Sequence, residues 1–203
     1  MSVGYGSLDD ISEGDSVLSL SSSVDSEVSC TDLSTVASPD QENVLVVTDG
    51  SVDDWYMKWR DSAGELPADF GIISVGGFNR SAAAGATASS SSQARTQRPT
   101  TPGTSDEPKQ IETLPEVDLS ELGLLINSYI RSWEDTDRRL IVCFDCLDEL
   151  IEEVGVKKAF KFLHLLVERL RVAGVISHFH LDPSVHELET INLFKNLFDI
   201  TVE

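Results

Sequence analysis

Residues able to do chemistry follow two apolar runs in the C-terminal half of the chain. The run at 140–144 ends in Asp145, and the run at 175–179 ends in His180 and Asp182. Unbroken stretches of Val, Ile and Phe are typical of strands that are buried on both faces of a parallel sheet. Ligands of such sheets bind at the carboxyl ends of the strands. The sequence therefore predicts a polar edge where these side chains emerge.

Two cysteines and two histidines in these segments form the ligand set of a tetrahedral zinc site: Cys143, Cys146, His178 and His180. Cysteines three positions apart on or just after a strand tend to point to opposite faces, and His-x-His lacks zinc-finger spacing. Roles in a packed core are therefore favoured for all four residues, and a zinc site is the alternative.

The segment HFHLDPSVH resembles the H-x-H-x-D-H metal motif of metallo-β-lactamase-like hydrolases. The final histidine is displaced to His186, and the 17 residues after it are too few for the remaining ligands of that family. Alternation along a strand would instead place His178, His180 and Asp182 on one face as a pH-sensitive patch. Separate buried or capping roles are favoured over such a patch.

The carboxylates after the first run have a structural and a chemical interpretation. An Asp at a strand end is commonly a helix cap or a turn acceptor, which is favoured for Asp145 over a role in holding Mg²⁺. The carboxylates that follow are interpreted as the solvated start of a helix and are assigned no chemistry: Asp148, Glu149, Glu152 and Glu153.

Alternating strand and helix patterns must position these residues. Apolar runs predict strands at 16–20, 43–48, 70–75, 140–145, 175–180 and 198–202. Apolar residues at helical spacing predict a helix in each interval, one of them capped by Asp118 or Ser120 and another starting at Pro183. This order predicts an α/β three-layer sandwich with a mainly parallel sheet.

Two of the predicted helices precede the chemistry-bearing half of the chain. A weak helical pattern with Val28, Leu33 and Val36 follows the first strand. In the next interval, Trp55 and Trp59 share a helix face. Aromatic residues at this spacing more often anchor a helix to its sheet than form a ligand platform, so both are predicted to be core residues.

Composition divides the chain into three parts. Residues 1–15 are polar and acidic and are expected to form a flexible leader. Residues 16–203 are expected to form a single domain. Within it, the Ala/Ser/Thr/Pro tract at 79–110 cannot bury enough apolar surface to offset its ordering entropy, which predicts a mobile low-complexity insert.

The 203-residue chain is strongly acidic, with a formal charge of -20 and no Lys or Arg before Lys58. Such a surface repels phosphate backbones and anionic lipid, so direct nucleic-acid or membrane binding is not expected. Because 40% of the residues are hydrophobic and fall into strand and helix patterns, a folded protein adapted to concentrated salt is favoured over a disordered acidic one.

The sequence also bears on the compartment. No stretch approaches the roughly 20 apolar residues that span a bilayer, and the acidic start lacks the features of a secretory signal. Three cysteines, Cys30, Cys143 and Cys146, form an odd count that argues against a disulfide framework. We therefore expect a cytoplasmic protein in a reducing compartment.

The segment RLIVCFDCL resembles the Walker B strand of RecA/KaiC-type P-loop ATPases, in which an Asp after apolar residues helps to hold Mg²⁺. Asp145 occupies the matching position. Four longer segments resemble an uncharacterised haloarchaeal family near KaiC: NVLVVTDGSVDDWYMKWR, LPADFGIISVGGFNRSAAA, RLIVCFDCLDEL and FKFLHLLVERLRVAGVISHFHLDPSVHE. The resemblance covers 16–203 apart from the insert and implies a RecA/KaiC-like sheet.

The chain departs from active ATPases where a phosphate-binding loop is required. That loop needs G-x-x-x-x-G-K-[S/T], because its glycines let backbone N–H groups approach phosphate and its lysine neutralises the charge. After SVLSL this chain has SSSVDSEVS, without Gly or Lys, and Asp25 and Glu27 add negative charge. Nucleotide hydrolysis is therefore not expected.

The resemblance and this departure together lead to two functional hypotheses. The favoured one is a non-catalytic, degenerate RecA/KaiC-like domain that regulates or signals through protein partners or self-association, with no cofactor. The alternative is an enzyme, either a divergent ATPase that uses Mg-ATP or a Zn²⁺-dependent hydrolase.

Overall fold

The computed structural model describes residues 11–21, 39–63, 66–76 and 110–202. The predicted helix containing Val28, the loop with Asp25 and Glu27, and nearly all of the predicted insert lie outside these residues. The described part of the predicted leader belongs to the domain, because the carbonyl of Asp15 accepts a 3.0 Å hydrogen bond from the N–H of Ser177.

Seven parallel strands form one sheet within the described ranges, in the order β4-β3-β2-β5-β6-β1-β7. The strands are β1 (Ser16–Leu20), β2 (Glu42–Thr48), β3 (Asp69–Val75), β4 (Gln110–Leu114), β5 (Arg139–Phe144), β6 (Ile176–Leu181) and β7 (Ile200–Val202). All six strands predicted from apolar runs are present, and no end differs from the prediction by more than two residues. Asp145 therefore lies just beyond β5.

Five α-helices flank this sheet in the same ranges: α1 (Val52–Ala63), α2 (Leu119–Trp133), α3 (Leu147–Val154), α4 (Val156–Val172) and α5 (Leu188–Lys195). Helices α2 to α5 contribute to the larger apolar core on one face of the sheet. Helix α1 packs on the opposite face, where Trp59 is fully buried and stacks on Trp55 with ring centroids 5.4 Å apart. The prediction of a core role is confirmed for Trp59, and Trp55 is partly buried against the same apolar cluster.

Strand β4 was not predicted. Four of its five residues are exposed and only Leu114 is buried, so the segment has no apolar run to mark it. It lies at the edge of the sheet and pairs with β3 alone among the described strands. Gln110, which the composition placed in the insert, is the first residue of this strand.

Two helix boundaries also differ from the prediction. The single helix expected between β5 and β6 is divided at Gly155, whose φ of 82° and ψ of 149° end α3 and precede α4. Glycine adopts this backbone conformation without the steric cost that a Cβ imposes. Helix α5 begins at Leu188 instead of Pro183, and the intervening residues form turns and bends.

Candidate functional site

Strands β5 and β6 bring the predicted polar residues to one edge of the sheet. They are parallel neighbours with Phe144 opposite Phe179, so the segments that follow them emerge side by side. Asp145 is exposed, and its N–H donates a 2.8 Å hydrogen bond to the carbonyl of Val47, which extends the pairing of β2 and β5. The carboxyl edge predicted from the sequence therefore exists.

Asp148, in the first turn of α3, ties this helix to the loop after β6. Both of its carboxylate oxygens accept the N–H of Asp182 at 3.1 Å, and Oδ1 also contacts Nε2 of His186 at 2.7 Å. The carboxylate of Asp182 in turn accepts the N–H and the hydroxyl of Ser184 at 2.8 and 2.6 Å. The sequence-based interpretation of Asp148 as a merely solvated residue is wrong.

Carboxylates crowd this edge and perturb one another. Burial, together with the smaller effect of the charges of Asp49, Asp148 and Asp145, raises the pKa of Glu149 to about 7. Burial also raises the pKa of Asp49 and that of Asp148, although hydrogen bonds from Asp182 and His186 partly offset the rise for Asp148. The edge is therefore a region of concentrated negative charge.

A groove of about 530 Å³ opens between α3 and the loop after β6. Its lining residues are Asp148, Glu149, Ile151, Glu152, Asp182, Val185 and His186. Four of these seven side chains are carboxylates, and the single imidazole is already bound to Asp148. A phosphate in this groove would meet acceptors and like charge, whereas phosphate sites supply N–H donors and cations.

The four candidate zinc ligands do not converge. Cys143 and His178 are buried directly opposite each other on neighbouring strands. Cys146 packs in the core on the other face of the sheet. The Nε2 atom of His180 lies 3.0 Å from Oγ of Ser21. Over the part of the chain that the structure describes, no three His, Cys, Asp or Glu side chains are grouped to hold a metal ion.

The chemical states of these residues differ from those of ordinary zinc ligands. Cys143 is disulfide-bonded, which the argument against a disulfide framework did not anticipate. Burial raises the pKa of the free Cys146 thiol well above its usual value, which disfavours the thiolate that binds metals. Burial also lowers the pKa of His178 to about 4, and its Nε2 has no hydrogen-bond partner among the described residues.

The parallel sheet, the helices on both faces and the polar carboxyl edge define an α/β three-layer sandwich. The predicted fold class, an α/β three-layer sandwich with a mainly parallel sheet, is confirmed. Among the described helices, none is both long enough and apolar enough to cross a bilayer.

The chain belongs to the family described as "Family of unknown function (DUF7504)", which it matches over residues 14–203. A Pyrococcus horikoshii OT3 protein, solved as project PH0250, shares the fold with a TM-score of 0.53 and 9% identity, over 94% of this chain and 82% of that one. The flagellar accessory protein FlaH from Methanocaldococcus jannaschii has a TM-score of 0.48 and 13% identity, over 94% and 71% of the two chains. No curated protein matches the chain.

Proposed function

We propose that this protein is a non-catalytic RecA/KaiC-like domain that regulates or signals through protein partners in the cytoplasm of a halophilic archaeon. The observation that carries this proposal is the chemistry of the carboxyl edge. There the groove beside α3 presents four carboxylates and one imidazole that is already paired.

Phosphoryl transfer requires the opposite charge at this place. A nucleotide site stabilises the γ-phosphate with backbone N–H groups, a lysine and a metal ion. The segment after β1 contains neither Gly nor Lys from 21 to 29, and carboxylates occupy the edge where ligands of parallel sheets bind. Asp145 alone cannot replace these groups. A domain that has lost catalysis would keep the parallel sheet and lack the phosphate-binding loop after β1, as this chain does.

The proposed salt-rich cytoplasm is supported by the net charge of -20. A dense layer of carboxylates keeps a protein hydrated and dispersed, and concentrated salt screens their mutual repulsion. Protein partners are the proposed targets because the same charge repels nucleic acid and anionic lipid over most of the surface.

Isothermal titration of Mg-ATP in molar KCl, together with a phosphate-release assay, tests this proposal. We expect neither binding in the micromolar range nor turnover, for the wild type and for Asp145→Ala alike. Turnover that is lost in Asp145→Ala would instead identify a divergent ATPase.

Metal analysis of the purified protein tests the remaining alternative. We expect zinc far below one equivalent per chain, in the wild type and in His178→Ala. One equivalent of zinc that disappears in the His178→Ala protein, together with hydrolysis of an ester substrate, would support the Zn²⁺-dependent hydrolase.

A further inference from the structure

A second groove, far less acidic than the first, lies between helices α2 and α4. It has a volume of about 510 Å³ and an apolar floor and walls that include Gly123, Leu124, Phe162 and Leu165. Leu124 and Leu165 are both 70% exposed to solvent. Two leucines so exposed beside a formed groove are typical of a recognition surface.

The rim of this α2–α4 groove is basic. Lys158, Lys161 and Arg169 line it, and no carboxylate is among its lining residues. Helix α4 carries five of the 15 Lys and Arg residues of the chain and a single Glu, a net charge of +4 in a protein of charge -20. Positive charge is therefore concentrated on one helix beside exposed apolar side chains.

The three cations of the rim are not equivalent. Arg169 reaches from α4 to Asn127 on α2, to which it donates at 2.9 Å, and to Glu134 just after α2, to which it donates at 3.1 Å. Lys158 and Lys161 are exposed and make no ion pair with any residue that the structure describes. Arg169 thus fixes the two helices together, while the two lysines are available to a partner.

We propose that the α2–α4 groove binds an acidic amphipathic helix of a partner protein. This inference rests on the proposed regulatory function and gives its partner a chemical description. Apolar side chains of the bound helix would fill the groove between Leu124 and Leu165, and its flanking carboxylates would meet Lys158 and Lys161. This is the helix-in-groove mode of recognition, with anchors at i, i+3 or i+4 and i+7.

The walls of the groove explain why the occupant is a helix. Both walls are helices whose interior N–H and C=O groups bond within each helix, and Asp118 accepts the N–H groups of Ser120 and Glu121 in the first turn of α2. An extended peptide would find no strand edge here to satisfy its own backbone, whereas a helix satisfies its backbone internally.

Charge distinguishes this occupant from two other candidates. A two-fold interface places the same surface patch of both copies face to face. A second copy docked through this groove would therefore bring the basic rims of both copies, with Lys158 and Lys161, close together. An anionic membrane would extend beyond the groove and meet the acidic remainder of the surface. A short acidic helix contacts only the basic rim, and salt screens more distant charges.

Fluorescence anisotropy with a designed probe tests the proposal. The probe is a labelled helical peptide of about 18 residues, long enough for a stable helix, with leucines on one face and glutamates on both flanks. Titrations are made at the lowest KCl concentration that preserves the circular dichroism spectrum. We expect binding of this peptide and at least tenfold weaker binding of a matched peptide with lysines in place of the glutamates.

Variants of the protein locate the binding site. Leu165→Glu should weaken binding of the acidic peptide at least tenfold, whereas Val172→Glu, at an even more exposed apolar position on α4 outside the groove, should leave it unchanged. The double variant Lys158→Glu, Lys161→Glu should lose the acidic peptide and bind the lysine peptide. That reversal cannot result from unfolding.

Other outcomes overturn the groove assignment. The assignment would be wrong if the protein bound both peptides equally well, or if Val172→Glu weakened binding of the acidic peptide as much as Leu165→Glu. It would also be wrong if the protein bound phosphatidylglycerol vesicles more strongly than the acidic peptide. A dimer in sedimentation velocity that Leu165→Glu dissociates would likewise overturn it. Absence of peptide binding together with absence of ATP turnover would refute this inference and leave the proposed function standing. ATP turnover would refute the proposed function whatever the peptide does.

Discussion

At the scale of single residues, Asp148 is the centre of the carboxyl edge. It is half-buried and contacts two residues that are 34 and 38 positions away in the chain. A carboxylate that accepts an N–H and an imidazole at once is well satisfied, and removing it takes this acceptor away from both groups. Its position makes the loop after β6 dependent on the first turn of α3.

We expect Asp148→Ala to destabilise the protein by about 1–3 kcal/mol, because the N–H of Asp182 and the imidazole of His186 lose their acceptor. Hydrogen exchange should accelerate at the amides of 182 and 184–186 more than in the central strands. Glu153→Ala, which removes an exposed carboxylate from the same helix, is the control. Unchanged protection of the loop would show that Asp148 does not hold it.

The pKa of Glu149 gives a pH-dependent prediction. This carboxyl group has an ordinary pKa of 4.5 and a pKa of about 7 in the folded protein. The folded state therefore binds more protons between these values, and the wild type loses stability as pH rises from 4.5 through 7. Glu149→Gln has no carboxyl group to ionise at this position, so the variant avoids this loss of stability.

At pH 8 we expect Glu149→Gln to be more stable than the wild type by about 1 kcal/mol, after allowance for solvent screening and for the lost charge at a helix start. Below pH 4.5 the two proteins should be equally stable. Thermal melts across this range, with Glu153→Gln as the matched control, measure the difference. A variant that is less stable at pH 8 would contradict the burial of this charge.

At the scale of elements, Gly155 separates α3 from α4. Its φ of 82° and ψ of 149° lie in a region that is essentially restricted to glycine. A Cβ at this position would meet no atom within 4 Å, so substitution there would alter backbone strain without a clash. The break ends α3 after eight residues, and the start of this short helix carries Asp148 and Glu149.

We expect Gly155→Ala to destabilise the protein by about 1–3 kcal/mol through backbone strain alone. Gly123→Ala is the contrasting control, because this glycine is within α2 and its added Cβ would lie an ordinary 3.6 Å from Phe162. Alanine should there stabilise by about 0.5–1 kcal/mol. Denaturant titrations of both variants measure these changes. Equal changes in the free energy of unfolding would contradict the attribution of backbone strain to position 155.

At the scale of the whole molecule, the two grooves have opposite character. The groove at the carboxyl edge is lined by four carboxylates. The α2–α4 groove is lined by three cations and by no carboxylate. The remaining surface must accommodate most of a net charge of -20. Repulsion among these carboxylates opposes compaction, and salt reduces it.

We therefore expect the folded state to require molar salt. Circular dichroism melts in KCl from low to molar concentration should show a midpoint that rises steeply with salt. Repeating the melts with NaCl separates general screening from an effect of potassium. A midpoint that does not change over this range would rule out salt-dependent folding.

The sequence by itself determined the strands of the sheet interior and the polar residues at their ends. A strand buried on both faces is apolar at most positions, so a run such as 140–144 can be recognised from the local sequence alone. The same local reading located Asp145 at the sheet edge. It missed β4, because an edge strand with four exposed residues has no such constraint.

Only the tertiary structure decided which side chains meet. The contact between Asp148 and His186 spans 38 residues and depends on β5 and β6 being neighbours, which no local pattern specifies. The α2–α4 groove likewise exists because two helices, separated in sequence by a strand and α3, pack side by side on the sheet. Apolar periodicity reports whether a residue is buried, whereas strand order and helix packing determine what it contacts.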